Sequence, residues 1–330
     1  MTVLGLVDRA ALGWVLPHEH LTVDNRVHVD PRDEVPVDQP VDVTRLGYVR
    51  TWPRALADNI VLDDDDATLA DLRAYAVAGG RTMVEVTPRA MGRDLDRLQW
   101  FAHASGVNVI GSTAYYVYRG HKGHVAGRTV ADIAAEFVRD LMDGPIRCGA
   151  IGEIGVSAEP FADELTVVEA ALAAQAATGA PIFIHVTTVR PVPVLLDFLA
   201  ATGRPLERVV VCHMDYDIRD LAPHRRALNM GLTVEMDLFG YPGWTNANFL
   251  HFPTDSQRAA ALIQLADEGW VSQLLMSHDV CQKMQLTSRG GFGYAHILTR
   301  VVPLLRTLGA SESLIHQMGV ETPARLLCWA

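Results

Sequence analysis

Arg147-Cys-Gly-Ala-Ile-Gly-Glu-Ile154, an alanine-rich run from Glu164 to Thr178, and Pro181-Ile-Phe-Ile-His-Val186 follow one another in the 330-residue chain. The outer two pieces are short and apolar. The middle one has helical spacing of its apolar residues and is closed by Gly179, so the three read as strand, helix, strand. A crossover of that length joins parallel strands. Each strand also carries one ligand-type residue near its C-terminal end, Glu153 and His185.

The same alternation extends in both directions. Upstream, Leu12 to Leu21 reads as a strand, a helical pattern begins around Leu69, and strands over Thr82–Thr87 and Asn108–Ala114 alternate with helices over Asp94–Ser105 and Val130–Met142. Downstream, strands over Arg208–His213, Leu232–Asp237 and Gln273–Asp279 alternate with helices over Val192–Thr202, within Asp220–Met230, over Ser256–Glu268 and over Ala295–Leu308. Eight strand-helix units in one chain predict an α/β fold, a single-domain (β/α)8 TIM barrel over residues 1–330. An open doubly wound sheet would show a glycine-rich phosphate turn after an early strand, and no G-x-G-x-x-G opens a helix here. The polar, proline-rich stretch of about 21–62 is a long loop after the first strand, of a length that is usually functional. It runs into Asp63-Asp64-Asp65-Asp66, which suits a helix N-terminus better than a cation site. The tail, about 311–330, reads as short helices packed on the outside.

Composition excludes several functions. The formal charge is −11, with no Lys/Arg block, so neither nucleic acid nor an anionic membrane surface is an expected partner. No apolar run approaches the roughly 18 residues of a membrane helix, and the N-terminus lacks a signal-peptide pattern, so the expected setting is cytoplasmic. Cys148, Cys212, Cys281 and Cys328 are far apart and suggest neither a zinc finger nor a disulfide framework.

In a barrel of this kind the chemistry gathers where strands end. Strand one ends in Leu16-Pro-His-Glu-His-Leu21, strand four in Glu153, strand five in His185, strand six in His213 and strand eight in Asp279. Strand parity puts His18 and His20 on one face with Glu19 on the other. By the same rule Ile151 and Glu153, Phe183 and His185, Val211 and His213, and Ser277 and Asp279 continue inward-pointing rows. Four histidines and two carboxylates form an N/O donor set suited to Zn²⁺, with Mn²⁺ and Co²⁺ as alternatives. Six ligands exceed what one catalytic zinc uses. Two divalent ions with Glu153 between them fit better. Glu85, Glu235 and Asp237 sit where they can support the ligands. His278 has the wrong parity for the interior and reads as structural.

These motifs, together with Val84-Glu-Val-Thr-Pro88, Gly92-Arg-Asp94, Ala150-Ile-Gly-Glu-Ile-Gly155, Ser277-His-Asp-Val280 with Lys283, Gly290-Gly-Phe-Gly-Tyr294 and Pro323-Ala-Arg-Leu-Leu327, resemble the phosphotriesterase family of the amidohydrolase superfamily. The resemblance covers essentially the whole chain. It implies a binuclear metal-dependent hydrolase in which His18, His20 and Asp279 hold the more buried metal, His185 and His213 the more exposed one, and Glu153 bridges. Glutamate at that position, where phosphotriesterases proper carry a carboxylated lysine, resembles the branch of the phosphotriesterase homology, phosphotriesterase-related and resiniferatoxin-binding proteins. Strong phosphotriester hydrolysis is not expected. A homodimer is implied by the resemblance alone.

The expected reaction is hydrolysis of an ester-type bond of a small organic substrate, a lactone or carboxylic ester foremost and an amide second. A metal-bridging hydroxide attacks, and Asp279 serves as general base and then acid. Candidate substrate contacts lie in the loops after the strands: Tyr115, Tyr116, Tyr118 and Arg119 after strand three, Phe239 to His251 after strand seven, and Lys283 to Tyr294 after strand eight, with Lys283 and Arg289 suited to an anionic group. Two readings compete. A TatD-type deoxyribonuclease shares the His-x-His start but calls for a basic surface; a non-catalytic small-molecule binder needs no complete ligand set.

Overall fold

The computed structural model describes residues 1–29, 36–121, 123–241 and 252–329. Eight parallel strands pair in chain order, namely β1 (Trp14–Glu19), β2 (Gly80–Glu85), β3 (Asn108–Thr113), β4 (Ala150–Val156), β5 (Ile182–Val186), β6 (Val209–Cys212), β7 (Thr233–Met236) and β8 (Leu274–Met276). The seam between β8 and β1 is closed just past the end of β8. The Ser277 hydroxyl donates to the His18 carbonyl at 2.9 Å, and the Asp279 N–H donates to the same carbonyl at 3.3 Å. This is the single-domain (β/α)8 barrel expected from the alternation.

Local sequence explains the helices between the strands. The Asp64 side chain caps the helix Asp65–Val77, with Asp65 and Asp66 in its first turn, so part of the acidic run serves the helix start. Asp94 caps Leu95–Ser105, Thr129 and Asp132 form a capping box on Val130–Met142, and Gly106 and Gly179 end their helices in the left-handed conformation.

Two apolar layers follow from strand parity. Val15, Val84, Ile110, Ala150, Phe183, Val210 and Leu275 fill the barrel interior. Leu16, Met83, Val109, Ile151, Val211 and Met276 face the helices. Each of these side chains other than Ala150, fully buried, contributes roughly 1.5–3 kcal/mol.

Two segments bear on the ends of the barrel. The tail helices Glu312–His316, Gln317–Glu321 and Thr322–Leu327 do not simply coat the outside, because Ala324, Leu326 and Leu327 join the interior row. Trp329 Nε1 donates to the Gly149 carbonyl at 2.8 Å, and Arg208 donates to the Leu326 and Cys328 carbonyls at 2.7 and 3.0 Å. The strand starts would otherwise leave that apolar row open to water, and the tail covers it. At the other end, Val23–Asp24 pairs antiparallel with Val61–Leu62 and closes the base of the long loop, which holds the helix Leu46–Thr51 and the turns Asn25–His28 and Ala57–Ile60. Among the described residues no helix is long and apolar enough to cross a membrane.

Candidate metal centre

Glu153 stands between two groups of imidazoles. Its Oε1 lies 3.5 Å from His20 Nε2, and its Oε2 lies 3.5 Å from His18 Nε2, 2.8 Å from His185 Nδ1 and 3.9 Å from His213 Nε2. Asp279 Oδ1 is 3.2 Å from His20 Nε2, and His213 Nε2 is 2.7 Å from His185 Nδ1. The six candidates from five strand ends therefore meet in one place, and all but Asp279 are buried. Both His18 ring nitrogens and Glu153 Oε2 are buried without a hydrogen-bond partner among the described residues. Leaving such atoms unpaired costs about 1–3 kcal/mol each. Converging nitrogen and oxygen lone pairs fit divalent ions such as zinc, and the residues present fit the group.

Simple alternation does not bring them there. Ile151 and Val211 face the helices, so parity alone would send Glu153 and His213 outward with them. The pairing registers shift between Leu16 and Glu19 and between Ile151 and Ile154, which turns His18 and Glu153 into the barrel. His213 and Asp279 have φ of +57° and +51°, and they are the only non-glycine residues with positive φ among the described residues. That backbone costs of order 1–3 kcal/mol at each and persists where surrounding contacts impose it. Only Phe183 and His185 continue an inward row without interruption.

The supporting acids are in place. Asp237 accepts from His213 Nδ1 at 2.7 Å and from its N–H at 3.1 Å, which leaves His213 Nε2 facing the centre. His20 Nδ1 meets the Thr87 hydroxyl at 2.7 Å, and that hydroxyl lies 2.6 Å from Glu85 Oε1. Glu235 and Asp237 lie 3.5 and 3.4 Å from His18 Nδ1. Burial disfavours the Glu153 charge, but the imidazoles of His185, His18 and His213 outweigh it and hold the carboxyl well below the ordinary range. Burial also opposes ionisation of Asp279, and His20, His213 and His18 bring it down to about 2. For His213, burial acts downward, and the Asp237 carboxylate overrides it and raises the imidazole to about 10, a proton that a bound cation would displace. Glu19 accepts from the His278 and Val280 N–H groups at 2.9 Å and from His278 Nδ1 at 2.6 Å, a structural tie between the ends of β1 and β8.

A cavity of about 130 Å³ opens over Glu153, His20, His185 and Asp279. Tyr116 lines it, with its hydroxyl 3.0 Å from both His185 Nε2 and His28 Nε2. Several other sequence candidates point elsewhere. The Tyr115 hydroxyl lies 2.9 Å from Glu136 and accepts from Arg128; the buried Tyr294 donates to the His20 carbonyl at 2.6 Å. Lys283 is paired with Asp58 and Asp63, Arg289 with Asp64, and Arg119 is exposed and absent from the cavity wall. Of the stretch Phe239 to His251, residues 242–251 lie outside the described residues. From its described part Tyr241 does line the wall, together with Tyr216, Gln282, and His28 and Arg54 from the long loop. His28 is lowered to about 3 by its enclosed setting and then by Arg54 and His185. For His28 and Arg54 the only sequence signal was the length of their loop, since nothing in its local pattern singles them out.

Known proteins resemble this chain along nearly its whole length. The phosphotriesterase family model matches residues 1–327. An N-acetyltaurine hydrolase of Salmo salar is 33% identical over 99% of this chain and 97% of its own length. A resiniferatoxin-binding protein from Rhodobacter sphaeroides superposes with a TM-score of 0.94 at 33% identity, covering 99% of this chain and 94% of its own. A phosphotriesterase homology protein from Escherichia coli follows with a TM-score of 0.81 at 27% identity, over 96% of this chain and 99% of its own.

Proposed function

This chain belongs to the phosphotriesterase family and is a metal-dependent hydrolase, and on that premise we propose that it cleaves the acyl bond of a small substrate at a binuclear centre. His18, His20 and Asp279 would hold one ion and His185 and His213 the other, with Glu153 between them. The observation that carries the reading is the Glu153 carboxylate, with one oxygen facing His20 and the other facing His18, His185 and His213. An amide is the foremost bond, because relatives matched along nearly their whole length are N-acetyltaurine hydrolases. Esters and lactones are the second reading, and phosphotriesters are cleaved at most weakly.

Two divalent ions, zinc foremost with manganese and cobalt as alternatives, lower the pKa of a water and polarise the scissile carbonyl when bound. The chain's own groups do the rest. Asp279, ionised and 3.2 Å from His20, takes the proton of the attacking water. The water oxygen joins the acyl carbon, the C–N or C–O bond breaks, and the same proton passes from Asp279 to the leaving atom. Tyr116 faces the substrate from beside His185. A nuclease reading is not favoured in a chain of net charge −11. Four free cysteines suit a cytoplasmic setting. The homodimer implied by the resemblance is read by size-exclusion chromatography.

Metal content per chain, measured after purification without chelator, tests the centre, and a panel of N-acyl amides, esters and lactones tests the bond. The expected result is about two ions per chain, falling sharply in Glu153→Ala, with turnover on an amide. Folded protein that takes up no metal after reconstitution with zinc or manganese overturns the reading.

A further inference from the structure

We infer that Arg54, on the long loop after β1, selects the substrate by an anionic group a few bonds from the scissile carbonyl. The inference rests on the hydrolase reading of the same centre.

Among the described residues, Arg54 is the only Lys or Arg side chain lining the cavity over the ligand cluster. Its Nη1 donates to the His28 carbonyl at 3.2 Å, and no carboxylate pairs with it among the described residues. The neighbouring cations are spoken for, since Lys283 is paired with Asp58 and Asp63, and Arg289 with Asp64. The carboxylates on the wall, Glu153 and Asp279, both belong to the ligand set. In the metal-loaded centre their charge would serve the ions, so among the described residues no wall carboxylate would be left to neutralise the guanidinium. An exposed arginine is ordinarily just solvated. This one is set at the wall of a cavity in a chain of charge −11, on a lining it shares with the polar side chains of Asn25, Tyr216 and Gln282. A planar fork with free N–H groups suits a carboxylate or sulfonate.

The position is firmly held. Asn59 Nδ2 donates to the Pro53 carbonyl at 2.8 Å, and Asn59 Oδ1 accepts from the Met284 N–H at 2.8 Å. Asn25 Nδ2 donates to the Cys281 carbonyl at 2.6 Å, and Arg50 to the Gly290 carbonyl at 2.8 Å. These bonds tie the loop to the segment after β8. Contacts from His185 through the Tyr116 hydroxyl to His28, and from the His28 carbonyl to Arg54, place the guanidinium close behind the ligand shell. The cavity is well below the volume of a drug-sized site. The substrate class is therefore a short acyl group on a small amine that ends in a carboxylate or sulfonate.

The test uses the full-length, metal-loaded chain as wild type, Arg54→Gln and Arg54→Lys. The substrates are N-acetyl-2-aminoethanesulfonate, N-acetyl-3-aminopropanoate and the neutral N-acetylethanolamine. Calorimetric titration with ethanesulfonate and propanoate gives a readout independent of turnover. Wild type is expected to prefer at least one anionic substrate over the neutral one, and the anion cleaved faster identifies the head group. Arg54→Gln is expected to lower the anionic-to-neutral ratio of kcat/KM by about ten- to a hundredfold, chiefly through KM, and to abolish binding of the matching anion. Arg54→Lys should restore part of both. Equal use of neutral and anionic substrates by wild type, or an equal loss on both in Arg54→Gln, overturns the assignment of Arg54 and leaves the hydrolase standing. Arg54-dependent anion binding without hydrolysis of any amide supports the anion site and overturns the amide reading. Neither binding nor hydrolysis overturns both.

Discussion

In the proposed reaction, Asp279 is the residue at which chemistry separates from metal binding. Its carboxyl, held down to about 2 chiefly by His20 against the opposing effect of burial, is ionised throughout the neutral range and lies beside the ligand cluster. Asp279→Asn keeps an oxygen donor and loses the base. Turnover should fall by about a hundred- to ten-thousandfold while metal content stays near that of wild type, as read by elemental analysis beside the rate. Near wild-type turnover would remove the base role. Asp237 acts one step back, through His213. Asp237→Asn weakens the bond that orients His213 Nε2, so metal affinity should fall by about ten- to a hundredfold in a competition titration with a chromogenic chelator. A variant that binds metal as tightly as wild type would make Asp237 a packing residue.

At the scale of the elements, the helix Val130–Met142 is locked to the end of β3 through Asp140. Its carboxylate accepts from the Thr113 hydroxyl at 2.6 Å, from Arg93 at 2.9 Å and from Arg89 at 2.6 Å. Burial acts against the Asp140 charge, but Thr113, Arg93 and Arg89 prevail and the carboxyl lies below its ordinary pKa. A folded-state pKa depressed below the unfolded value contributes stability that is present above the unfolded value, near 4, and is lost as pH falls through the folded value. Asp140→Asn should therefore cost on the order of 2–3 kcal/mol at neutral pH and flatten the acid limb below about pH 4. Denaturant melts of both proteins from neutral pH downward read this directly, and parallel acid limbs would refute it.

For the molecule as a whole, metal and folding are coupled through the barrel. The candidate ligands at the ends of β1, β4, β5, β6 and β8 meet only when the ring is closed, so ions held by them would bind the folded chain and not the unfolded one. Exhaustive chelation should lower the melting temperature. A bound ion present at about a hundredfold over its Kd is worth about 2.7 kcal/mol. An unchanged melting temperature with metal demonstrably removed would uncouple the two. The opposite end of the barrel makes its own prediction. Leu326 helps close the interior with Ala324 and Leu327, and Leu326→Ala should cost about 2–5 kcal/mol in a chemical denaturation measurement, far from the metal centre.

What the sequence determined by itself was the alternation of strands and helices, the eight-unit count, the helix caps and stops, and the residue types at the strand ends. Hydrophobic periodicity, capping side chains and glycine stops act over a few residues, so they are legible locally. Family membership was legible too, because its motifs sit at those same ends. The tertiary structure decided which way the ends turn. Parity placed Ile151 and Val211 inside, whereas they face the helices, and shifted register at β4 and left-handed backbone at His213 bring the ligands inward nonetheless. It also decided that Tyr115 and Tyr294 spend their hydroxyls on Glu136 and the His20 carbonyl, that the tail stops the barrel floor, and that His28 and Arg54 wall the cavity. These outcomes depend on closing a ring between residues more than 250 positions apart, such as His18 and Ser277, and no local pattern encodes the direction of a side chain before that closure is made.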